Sequence, residues 1–119
     1  MTRDKVHLLY IQQTIQKITR LTAKGKTIFL QDDDEQAAIL YYLQTLSEST
    51  TRLSDELKEK QPQIAWQQIR GLRNRVAHDY LSIDLELVWL IITTELTALS
   101  ESIEQMLNIL EKQSTDDGE

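Results

Sequence analysis

From Val88 onward, apolar residues return every three or four positions: Val88, Ile92, Leu96, Leu99, Ile103, Met106 and Leu110, with no glycine or proline among them. That spacing is the period of one face of an α-helix, and a seam this long has to be covered by other helices. The rest of the chain is as poor in breakers, with three glycines and one proline in 119 residues. Leucine and isoleucine dominate its apolar set. The expectation is an all-α, antiparallel four-helix bundle. One domain spans residues 1–112, and a polar, acidic, frayed tail occupies 113–119.

The other helices announce themselves in turn. Leu8, Ile11, Ile15 and Ile18 mark a first helix over about 3–23, closed by Gly25, which can take a left-handed conformation. The trio Ile28, Phe29 and Leu30 should tuck under the bundle. Asp32, Asp33 and Asp34 read as a helix start, because carboxylates accept from free N–H groups and favour the positive end of the helix dipole. Glu35 or Gln36 then sits three residues beyond a candidate cap. Ile39, Leu43, Leu46, Leu53 and Leu57 predict one long second helix over about 34–60, with Tyr41 and Tyr42 packing beside the stripe. Pro62 should end that helix and open a third, over 62–78 or 79. A break at 80–83 follows, and Ser82 or Asp84 caps the fourth helix.

Composition excludes several function classes. Cysteine is absent, which rules out disulfides and thiolate metal sites, and two distant histidines disfavour a metal centre. No apolar run reaches the length of a membrane span and no signal-peptide core is present, so a cytoplasmic protein is expected. The net charge of −6 does not suit a general nucleic-acid coating protein. It conceals a polarity: residues 1–30 carry Arg3, Lys5, Lys17, Arg20, Lys24 and Lys26 against Asp4, whereas residues 81–119 carry Lys112 against nine carboxylates. Either these are solvated helix faces or the basic part can hold a phosphodiester backbone.

The chemistry is concentrated in Arg73-Asn74-Arg75-Val76-Ala77-His78-Asp79-Tyr80. At 100° per residue, Ile69, Leu72 and Val76 share a core face, with Trp66, Arg73 and Tyr80 along its edge. Arg70, Gly71, Asn74 and His78 fall on the far side. His78 is then about 140° from Arg73. Either the helix bends near His78, or a second copy completes the site. Gly71, which would let another backbone approach closely, favours the second copy. Trp66 and Trp89 read as core or interface anchors and His7 as an ordinary boundary residue.

Pro62, Ile64, Trp66, Ile69, Gly71, Arg73, Asn74, His78 and Tyr80, followed by Ile83-Asp84 and Val88-Trp89, form a composite pattern. It resembles the HepT-like branch of the HEPN superfamily. The resemblance implies a HEPN-type bundle and a homodimer in which Arg73 and His78 of two copies face each other and cleave RNA, tRNA being one candidate. Asn74, Arg70 and Arg75 would support them, with no metal or other cofactor. Asp79 fills the variable position beside the histidine. The implied partner is a minimal nucleotidyltransferase antitoxin that transfers AMP to Tyr80. The chemistry is self-consistent: histidine can take the proton of a ribose 2′-OH near neutrality, and arginine stays charged against a phosphorane. The alternative is a non-catalytic HEPN module that docks a nucleotidyltransferase or a nucleotide.

Overall fold

A computed structural model describes residues 2–78 and 80–117, with side chains as far as Gln113. The chain is all-helical, and no strand occurs among the described residues. Its helices are α1 (Arg3–Thr22), α2 (Lys26–Gln31), α3 (Asp33–Thr51), α4 (Asp55–Glu59), α5 (Trp66–His78) and α6 (Leu85–Asp117), with a 3-10 turn at Tyr80–Ser82 between the last two. The backbone of α6 therefore stays helical into the stretch read as an acidic tail. At about 1.5 Å per residue its 33 residues account for the 53 Å long axis of the molecule.

The core is the one the periodicity selects. Leu8, Ile11 and Ile18 of α1, Ile39 and Leu43 of α3, and Val88, Ile103 and Met106 of α6 are at most 1% exposed. α3 packs against α1 and α5, and α1 packs against α6. The basic first helix thus lies on the acidic last one. Just beyond α1, Lys26 closes an exposed ion pair with Glu86 at 2.7 Å.

Several caps are those expected. Asp32 Oδ1 accepts from the N–H groups of Asp34 and Glu35 at 3.0 and 3.1 Å. Asp84 Oδ1 accepts from Glu86 and Leu87 at 3.0 and 3.3 Å and starts α6. Gly25 has φ +99 and ψ 166, a positive-φ extended conformation that favours glycine, and it joins α1 to α2. Of the apolar trio, Phe29 is fully buried and meets Trp89 with ring centroids 5.5 Å apart, while Ile28 stays exposed.

Two expected boundaries are corrected. The second helix is not continuous to Lys60: α3 ends at Thr51, and Ser54 starts α4 by accepting from Leu57 N–H. The Asp4 carboxylate holds Ser54 in that role from the far end of α1. The third helix begins at Trp66 instead of Pro62. Residues 61–65 turn instead, because the buried Gln61 and Ile64 are drawn inward and the Trp66 indole N–H donates back to the carbonyls of Lys58 and Gln61 at 3.2 Å each.

Candidate ribonuclease site

The motif occupies the last turns of α5 and the 3-10 turn that follows. Burial along α5 follows the helical wheel: Val76 is buried, Ile69, Leu72, Trp66 and Arg73 are half-buried, and Arg70, Gly71, Asn74, Arg75 and His78 are exposed. Arg73 is anchored by its stem. Its Nε is buried with no hydrogen-bond partner, whereas Nη1 donates to Asn74 Oδ1 at 3.4 Å. Asn74 therefore touches the arginine head group.

α5 is helical through His78, so no bend separates Arg73 from His78. Five residues of regular helix keep the two side chains about 140° apart. One copy of the chain thus carries an arginine at the edge of the core and a histidine on the open face. Gly71 lies on that open face, and a Cβ built on it would meet nothing within 4 Å. No packing inside the chain requires a glycine there. Asp79 lies outside the described residues.

Tyr80 opens the 3-10 turn and is 42% exposed. Leu81 beside it is 98% exposed, and Leu87 and Leu90 of α6 are also exposed. These leucines lie outside the motif. The signal was available, since Leu87 and Leu90 lie off the Val88–Leu110 seam. Between α3, α5 and α6 an apolar cavity of about 190 Å³ is lined by residues including Leu43, Ile69, Leu72 and Ile91. Trp66 and Trp89 both pack against the core. Among the described residues no three His, Asp or Glu side chains gather as metal ligands, and no helix is long and apolar enough to cross a membrane.

A family model described as Ribonuclease HepT-like matches residues 11–106. The chain belongs to this family. Among its relatives is "Putative RNase TTE0752" of Caldanaerobacter subterraneus subsp. tengcongensis, 24% identical over 102 residues, covering 82% of this chain and 91% of that one. "Probable ribonuclease HepT" of Thermococcus cleftensis is 23% identical over 78 residues, covering 66% of this chain and 71% of its own. No solved structure gives a significant match. The HepT-like match extends from α1 into α6 and includes the whole of α5, so the family spans the bundle as well as the motif.

Proposed function

We propose that this HepT-like chain is a toxin-type endoribonuclease that works as a homodimer, without metal, through Arg73 and His78 of facing copies. The observation that carries the reading is the placement of Arg73 and His78 on one unbroken helix within a HepT-like ribonuclease, half-buried and exposed respectively. A two-fold axis beside the open face of α5 would set the histidine of one copy against the arginine of the other. Gly71, with open space where a side chain would be, allows that approach. The exposed Leu81, Leu87 and Leu90 add apolar surface of the kind self-complementary interfaces cover.

In the reaction, His78 takes the proton of the ribose 2′-OH, and the oxygen attacks the adjacent phosphorus. Arg73 stabilises the phosphorane through its planar fork, with Asn74 orienting it and Arg70 and Arg75 supplying further positive charge. The 5′-oxygen leaves with a proton and a 2′,3′-cyclic phosphate remains. No cofactor enters. Tyr80 is the regulatory handle: a minimal nucleotidyltransferase antitoxin transfers AMP to its hydroxyl, adding bulk and a negative phosphate beside Arg73. This reading takes α1, α3, α5 and α6 as the antiparallel four-helix bundle of one HEPN domain in the cytoplasm.

The test is cleavage of RNA by the purified protein. His78→Ala should lose roughly 10²-fold or more in rate, as for a missing general base, and EDTA should leave the wild type unaffected. Full activity in His78→Ala, or activity lost with EDTA, overturns the mechanism. A wild type that cleaves nothing yet binds the nucleotidyltransferase would favour the docking-module alternative.

A further inference from the structure

Between Asp4 and Asp32 the chain has no carboxylate, yet it carries Lys5, Lys17, Arg20, Lys24 and Lys26. Lys26 is paired with Glu86, but no ion pair to Lys17, Arg20 or Lys24 occurs among the described residues. These three are exposed and step by three and four positions, so they line one face of α1 and the residue just beyond its end. Like charges at that spacing repel one another, and an anion laid along them relieves the repulsion.

The same face meets two tyrosines of α3. α1 and α3 run antiparallel, since Asp4 holds Ser54 at one end and Lys17 Nζ lies 5.6 Å from the centre of the Tyr42 ring further along. Tyr42 is half-buried beneath that cation, and its ring meets Tyr41 edge-on with centroids 5.9 Å apart. Tyr41 is itself 59% exposed, where the sequence predicts packing beside the core stripe. Apart from the buried Glu35, the nearest carboxylates along α3 are Asp34 and Glu48, seven residues before and after it, and Glu48 is paired with Arg52. An outward ring braced by a second ring and flanked by cations without ion pairs suits stacking of a base, with its phosphates held alongside. α3 packs against α5 as well as α1, so this face is one helix away from the motif.

We propose that the α1–α3 face is a second RNA-binding surface, on which a single-stranded stretch of the substrate stacks a base on Tyr41 and lays phosphates against Lys17, Arg20 and Lys24. The inference rests on the ribonuclease reading above for the identity of the strand. It adds a selection for unpaired RNA, because a base inside a duplex is stacked on its neighbours and has no free face to offer.

The experiment is fluorescence anisotropy with a labelled single-stranded RNA of about 20 nucleotides, long enough to cover such a surface. It uses the full chain carrying His78→Ala, so that the probe stays intact. Tyr41→Ala should weaken binding on the order of tenfold and Tyr41→Phe should not, since stacking needs the ring and not its hydroxyl. Arg20→Gln should reduce the slope of log affinity against log salt by about 0.7, the value for one phosphate contact on a single strand. Lys112→Gln, at the far end of α6, should change neither. If Tyr41→Ala does not fold, Tyr41→Gln and the Arg20→Gln slope decide. Unchanged affinity in Tyr41→Ala, or an equal loss for duplex RNA, overturns the stacking. An unchanged slope in Arg20→Gln overturns the phosphate track. Variants that keep RNA affinity but lose a nucleotidyltransferase would assign the face to a protein instead, and also overturn the proposal. Wild-type cleavage without these effects sinks the face alone; these effects without wild-type cleavage sink the ribonuclease reading alone.

Discussion

Asp4, in the first turn of α1, accepts hydrogen bonds from both the N–H and the hydroxyl of Ser54, at 2.8 and 2.7 Å. The same serine hydroxyl accepts from Leu57 N–H and starts α4. One carboxylate thus joins the beginning of the chain to the break between α3 and α4. Asp4→Ala removes two charge-assisted hydrogen bonds at a partly exposed site and should destabilise the fold by about 1–2 kcal/mol. Urea denaturation measures this, and a change under a few tenths of a kcal/mol would show that the contact holds nothing in place.

Phe29 is the pin between α2 and the start of α6, through its ring contact with Trp89. It is fully buried. Phe29→Ala should cost about 3–5 kcal/mol, the range for losing a buried aromatic ring, and should also shift the fluorescence of Trp89. An unchanged denaturation midpoint would contradict that packing.

Gly71 separates fold from assembly. A side chain there meets nothing within the chain, and alanine favours helix over glycine by about 1 kcal/mol. Gly71→Leu should therefore leave the helical content and Tm of the monomer intact while weakening dimerisation and RNA cleavage together. Sedimentation across a concentration series checks it. A leucine variant that associates and cleaves like the wild type would remove the close approach from the proposal.

Arg73→Lys keeps the charge but loses the planar fork. Cleavage should fall by roughly 10²-fold, as on removing one stabilising donor from a transition state, with the fold preserved. Equal rates for lysine and arginine would mean that charge alone suffices.

Tyr80→Phe should keep most of the cleavage and escape silencing by a nucleotidyltransferase with ATP. Intact mass should show the addition of one AMP to the wild type and none to the variant. Silencing of Tyr80→Phe as complete as that of the wild type would place the handle elsewhere.

How much was legible varies with the distance over which the cause acts. The core stripes of α1, α3, α5 and α6, the Asp32 and Asp84 caps, and the break at Tyr80–Ser82 follow from spacing and capping chemistry within a few residues of each other. The sequence alone was enough for these, and for the composite motif that marks the HepT-like family. The interruption of the second helix was not legible, because the contact that fixes it crosses 50 residues from Asp4 to Ser54. The late start of α5 depends likewise on an indole reaching back to Lys58 and Gln61. Glu35 shows the division within one residue. Its four-residue step from Ile39 already placed it on the core face, but its charge favoured the reading as a helix-start residue. Only the tertiary packing buries that carboxylate, since burial is decided by which surfaces meet and not by the residues beside it in the chain.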